Sequence, residues 1–201
     1  MGTILKGLRR VQWGDLEVPR GSARDIPTLL SKAAWSDRET GSMALDYLAD
    51  LVCELGFVVS EATAPTVPFL LELAGASHVA CKAEVLQLLL NIYSSREWSH
   101  SAAEALPKYA DNYTHKVEWE VTAHQAVLAG REVVEGLTGS IDPDVAEAAS
   151  KLLDALDAEE PPLPPGRTRR TEASAVQPLN QACRHRDSAV FRRTSEATQW
   201  R

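Results

Sequence analysis

The side chains of this chain that could do chemistry are densest around His115, Glu118, Glu120 and His124. All four lie in one stretch with helical periodicity. A metal site on a helix needs ligands three or four residues apart and a third group converging on them. His115 and His124 are nine residues apart, which at ~100° per residue points them to opposite sides of a helix. His124 shares the side of Val117, Val121 and Leu128, so it is expected to be a hydrogen-bonded core or groove histidine. Glu118 and Glu120, two apart, diverge and cannot form an acid/base dyad. His78 and His100 fall in expected loops with no cysteine or paired acid beside them. No metal and no other cofactor is expected.

Nucleophiles are equally sparse. Cys53, Cys81 and Cys183 are far apart and odd in number, with no C-x-x-C among them, as in reduced cytoplasmic chains. Cys81 starts an expected helix, whose dipole could lower its pKa. Its surroundings, Ala80-Cys81-Lys82-Ala83, suit a small buried residue equally well. There is no G-x-S-x-G and no phosphate-cradling glycine loop. The chain is therefore expected not to be an enzyme.

The elements that would position these residues repeat. Ile26-Pro27-Thr28-Leu29-Leu30 recurs as Val67-Pro68-Phe69-Leu70-Leu71, an offset of 41. At the same offset, Ala44, Tyr47, Leu48 and Leu51 map onto Val85, Leu88, Leu89 and Ile92. Each set has the i, i+3, i+4, i+7 spacing of one buried helix face. A third copy, Val145, Ala148, Ala149 and Leu152, continued by Leu153 and Leu156, follows 60 residues after the second. That spacing implies about twenty inserted residues near Ser95–Thr114.

Helices are expected near 25–34, 38–55, 64–74, 79–94, 116–138 and 143–157, with no convincing strand. Asp25 and either Thr63 or Thr66 are candidate N-caps, with Pro27, Pro65 and Pro68 confined to first turns. Gly56 and Gly75 suit left-handed C-caps. Asp142-Pro143-Asp144 is a strong start signal, joining a capping carboxylate, a proline at the first helical position and a second acid facing the helix dipole. The fifth helix has apolar residues on both sides, Val117, Val121 and Leu128 against Ala123, Ala126, Val133 and Leu137, as in a sandwiched helix.

Composition divides the chain in two. Of the 201 residues, 44% are hydrophobic and 24% charged, as in ordinary globular proteins. Residues 161–201 hold eight arginines and three acids, a net of +5, which leaves −12 of the total −7 on residues 1–160. From Glu160 the helical period stops, and the Pro/Arg-rich stretch 159–201 reads as a disordered tail. Residues 1–24 form a lead segment and 25–158 the repeat domain. The opening ten residues lack the apolar core of a signal peptide, and no window is long and apolar enough to span a membrane.

Asp142-Pro143-Asp144-Val145, followed by Ala148-Ala149 and Leu152-Leu153, resembles the second helix of a HEAT repeat. Ser60 through Leu73 and Trp13 through Leu30 are similar to segments of small bacterial HEAT-repeat proteins (HEAT/armadillo-like) of the actinobacterial type. The resemblance covers about residues 13–157 and departs at Ala146, where HEAT helices often carry an arginine that meets an aspartate of the adjacent repeat. It implies an all-α fold, a HEAT-like α-solenoid of about three helical hairpins, and an interaction scaffold as its function.

Three functions follow as expectations. The first is a non-catalytic scaffold that binds a protein with a basic surface, through an acidic concave groove or the aromatic 95–114 segment. Trp98, His100, Tyr109, Tyr113 and Trp119 are its candidate contacts, because aromatic side chains anchor interfaces at low entropic cost. The same aromatics could instead fold back and plug the space between repeats two and three. The second is a nucleic-acid-binding protein resembling the HEAT-like DNA glycosylases, which the −12 body disfavours because it repels phosphate. The third is a small acidic immunity-type protein that neutralises a toxin.

Overall fold

A computed structural model describes residues 4–95, 98–108 and 113–158. The tail expected from 159 onward, and Tyr109, lie outside the described residues. Contacts divide the chain between Glu160 and Pro161.

The described residues are mostly helical. Three short 3₁₀ turns, Leu8–Arg10, Trp13–Asp15 and Ala23–Asp25, lead into α1 (Ile26–Trp35) and α2 (Arg38–Val52). A two-residue antiparallel pair follows, β1 (Cys53–Glu54) with β2 (Val58–Val59). The remaining helices are α3 (Thr63–Gly75), α4 (Lys82–Ser94), α5 (Trp98–Ala105), α6 (Thr114–Leu128), α7 (Arg131–Leu137) and α8 (Pro143–Asp157). Helices pack in pairs: α1 on α2, α3 on α4, and α7 on α8. Across the pairs, α3 lies against α6 and α4 against α8, with smaller contacts of α1 with α3 and α2 with α4.

The repeated helix faces form the core. Leu48, Val85, Leu89, Ala149 and Leu152 have no exposed surface, and Ala44, Leu51, Leu88, Ile92, Val145 and Leu156 are buried with them. Truncating one of the large ones to alanine costs about 2–5 kcal/mol, the lost transfer energy plus the cavity. Tyr47 departs from the expected core face and stands 62% exposed, because none of the described helices packs over its ring. The lead segment is integral to the packing. Leu5, Leu8 and Trp13 are buried, the Trp13 indole Nε1 donates to Leu8 O at 2.8 Å, and its ring lies 6.0 Å from that of Phe69 on α3.

Several local expectations are corrected. The expected helix 38–55 ends at Val52, and Cys53–Glu54 turns into the β pair; Leu55 and Gly56 both take positive φ (56° and 79°). Gly56 is therefore a hairpin-turn residue and not a helix cap, and the β-branched pair Val58-Val59 supplies the second strand. Gly75 ends α3 without entering the left-handed region. Asp25 makes no capping bond, because a 3₁₀ turn capped by Ser22 runs directly into α1. Neither Thr63 nor Thr66 caps α3: both hydroxyls are buried and donate to nearer carbonyls, Val52 O and Ala62 O. Pro68 lies in the second turn of α3, beyond the first turn expected for it.

The expected helix 116–138 is two helices broken at Ala129-Gly130. A Cβ on Gly130 would stand 2.3 Å from Leu71 Cδ1, so the missing side chain lets this bend approach α3. The break also removes the sandwich: Ala123 and Val134 are fully buried while Val121 is 49% exposed. The wheel that placed apolar residues on two sides assumed one uninterrupted helix.

Candidate functional site

The aromatic segment and a groove between helices are the two candidate binding places of the molecule. The inserted segment holds a helix of its own, α5, whose start is tied to the core. The Ser99 amide donates to Glu120 Oε1 at 2.6 Å, and Glu120 is 1% exposed. Four residues on, His124 stacks on Tyr93 with centroids 4.1 Å apart, its Nδ1 3.5 Å from Tyr93 O. His124 is thus a packed core histidine, whereas His115 is exposed. Glu118 is exposed as well, so it and Glu120 point apart.

Of the candidate aromatics, the structure describes the side chains of Trp119 and Tyr113. Trp119 is half-buried against the core. Tyr113 is half-buried, and the Lys116 ammonium sits 5.8 Å from its ring centroid. Trp98 and His100 belong to α5, with side chains outside the described residues, as is Tyr109.

The groove lies across α2, α4 and α8 and has a volume of about 430 Å³. Its floor is aliphatic, from Leu45, Ala49, Leu88 and Ala148. Asp46, Glu84, Asp144 and Glu147 line it, against Lys151 as the opposing charge. Repetition places these groups, since Glu84 and Asp144 stand at the same point of the 60-residue offset. Glu84 Oε1 accepts from Arg38 Nη2 and Ser42 Oγ, each at 3.2 Å, while Oε2 is shut off from solvent with no donor. Glu147 pairs with Lys151 at 2.7 Å, and that hydrogen bond holds its carboxyl below the usual range. Asp46 and Asp144 have no cation within salt-bridge reach among the described residues.

Both described cysteines are buried. Burial pushes the Cys53 thiol up to about 12. Cys81 stands at the N-cap of α4, and its pKa is raised, first by burial and then by the Glu84 charge. Desolvation outweighs the helix dipole there, and Sγ donates to Ala33 O at 3.5 Å. Among the described residues, no three His, Cys, Asp or Glu converge as metal ligands would, and no helix is long and apolar enough to cross a membrane.

Sequence reading missed Glu84 as a groove residue. The signal was present in the repeat offsets, which align it with Asp144, but its bonds to Arg38 and Ser42 are tertiary. The chain matches no family model, no curated protein and no solved structure.

Proposed function

We propose that this chain is a non-catalytic protein-binding scaffold, a HEAT-like α-solenoid of three helical hairpins whose acidic groove accepts a basic segment of a partner protein. The observation that carries this reading is the groove's unbalanced charge: Arg38 and Lys151 pair with Glu84 and Glu147, while Asp46 and Asp144 have no cation within reach among the described residues. A lysine or arginine side chain suits the place, its stem lying on Leu45, Ala49 and Leu88 and its head reaching Glu84, Asp46 and Asp144. Packing of α3 against α6 and of α4 against α8, beside the pairs themselves, supports the solenoid. Phosphate would be repelled from the groove, which disfavours nucleic acid.

The test is a titration of the full chain with labelled lysine/arginine-rich peptides and their acidic counterparts, at low and moderate salt. The basic peptides are expected to bind with roughly micromolar Kd and to weaken as salt rises, and Glu84→Gln with Asp144→Asn to reduce affinity about tenfold. Equal binding of acidic and basic peptides, or indifference to those substitutions, would sink the reading.

A further inference from the structure

Residues 4–14 hold three cations, Lys6, Arg9 and Arg10, and no acid, in a body whose net charge is −12. No other five-residue window of residues 1–160 holds three. Two successive backbone turns fix them: Leu8 N donates to Leu5 O at 3.3 Å, and Arg10 N to Gly7 O at 2.9 Å. Residues three apart in such turns share a side. Leu5 and Leu8 take the inner side and are buried, while Lys6 and Arg9 take the outer side beside Arg10, and all three cations are exposed. Helix α3 holds the turn in place. The Leu5 amide donates to Glu72 Oε2, and a Cβ on Gly7 would stand 3.2 Å from the Phe69 ring. None of the three cations forms an ion pair among the described residues.

The acidic groove belongs to the other layer of helices. Its lining comes from α2, α4 and α8, with no residue of α1, α3 or α6. Asp46 and Asp144, both exposed, are the carboxylates in it that have no cation among the described residues. The turn is fixed on α3 and the groove borders no part of α3, so the two can meet between copies of the chain and not within one.

We propose that the groove of one copy receives the Lys6–Arg10 turn of another, joining copies head to tail. The proposal rests on the reading of the groove as a site for a basic segment, and it names that segment. Two bodies of net charge −12 repel, so they associate where unlike charges face each other. Along the turn Lys6 and Arg9 are about 6 Å apart, so their stems can carry one cation to each of the two unpaired aspartates. Those stems lie on the aliphatic floor of Leu45 and Ala49. The turn is already ordered by its packing on α3, which lowers the entropic cost of docking. Three cations on so acidic a body neutralise too few phosphates to hold a nucleic acid. Exposed ion pairs are individually weak, so the contact is expected to have a Kd of roughly 100 µM and to loosen with salt. Because the two surfaces differ, the contact does not close on itself as a symmetric dimer would, and chains grow beyond two copies.

The test is sedimentation velocity on the full chain over about 10–500 µM, at low and moderate salt. The weight-average mass should rise past that of a dimer and fall as salt is added. A turn variant, Lys6→Gln with Arg9→Gln and Arg10→Gln, and a groove variant, Asp46→Asn with Asp144→Asn, should each raise Kd at least about tenfold. Mixed in equal amounts, the two variants should form a one-to-one dimer and nothing larger, since the intact turn of one meets the intact groove of the other. Lys32→Gln with Lys116→Gln should leave the association unchanged. The turn and groove side chains are exposed, so far-ultraviolet circular dichroism should remain that of the parent. Lysine/arginine-rich peptides titrated into the turn variant separate the two readings. A chain that binds them yet stays monomeric throughout overturns the head-to-tail contact and leaves the groove a site for basic segments; one that does neither overturns both. An assembly indifferent to the turn variant, its cations then coming from elsewhere, also overturns the proposal. So do variants that form no dimer when mixed, or a turn variant whose sole effect is to abolish retention of DNA.

Discussion

The first two helix pairs and the third are made from the same repeated face, yet they are held together differently. Pairs one and two follow a single 41-residue register with tight local joints. Ser36-Asp37 links α1 to α2, and small residues let the helices close: a Cβ on Gly41 would stand 3.1 Å from Cys81 Sγ. The third pair comes 60 residues later, and two tertiary devices set it in place. One is the break at Gly130 under Leu71; the other is Glu120, which receives the Ser99 amide at the start of α5. Regular repeats position their neighbours through pattern alone. An irregular one needs individual residues that answer to distant partners.

Stability measurements on single variants test this contrast. The largest effect is expected within the regular part, at Cys53, where α2 gives way to the β pair. Its folded pKa is raised from 9.0 to about 12, so the folded state holds the thiol proton more tightly than the unfolded one. The stability this confers is full below pH 9 and is lost as pH rises toward about 12, roughly 4 kcal/mol over the whole interval. Denaturant melts from pH 8 upward should show that decline, and Cys53→Ala should make it shallower. An equal slope in the variant would contradict the assignment.

Gly130→Ala should come next, at about 1–3 kcal/mol, because the new methyl overlaps Leu71. Leu71→Ala in the same chain should recover part of the loss. Gly136→Ala, with nothing within 4 Å of its Cβ position, should not destabilise. A Gly130→Ala chain as stable as the parent would remove the bend from the list of devices that place the third pair.

Glu120→Ala should cost about 1–2 kcal/mol and expose the Ser99 amide to hydrogen exchange while leaving α1–α4 protected. Uniform loss of protection would mean that the pairs are more tightly coupled than their separate devices imply. The smallest effect is the cap at Asp142, which accepts from the Asp144 and Val145 amides; Asp142→Ala should cost about 1 kcal/mol. Asp37 does the same for α2, and the Thr40 amide holds its carboxyl below the ordinary value of 3.8. A lowered folded pKa stabilises above the unfolded value, so that contribution fades as pH falls through and below 3.8. Asp37→Ala should flatten the acid limb of the stability curve, read by acid titration of helicity.

Legibility followed the range of the interactions involved. Asp142-Pro143 read correctly because a cap is made within three residues of itself. Leu48, Leu89 and Leu152 read correctly because burial of a periodic face needs only some neighbour, not a specified one. Tyr47 misread, since a periodic face is buried only where another element packs on it, and none of the described ones covers Tyr47. Gly130 misread because a glycine inside a helical pattern becomes a break only when another helix, here through Leu71, claims its space. Glu84 was passed over because a lone acid gains meaning from Arg38 and Ser42 across a helix interface.

The helical class, the register of the repeated faces, the acid balance of residues 1–160 and the start of α8 were already legible in the amino-acid sequence. Each depends on residue types within a turn or two, or on simple sums along the chain. The packed fold settled which copies of the face are covered, where the long helix breaks, and which carboxylates share a groove. Those outcomes depend on residues 40 to 100 positions apart meeting at atomic distances, and no local pattern encodes such meetings.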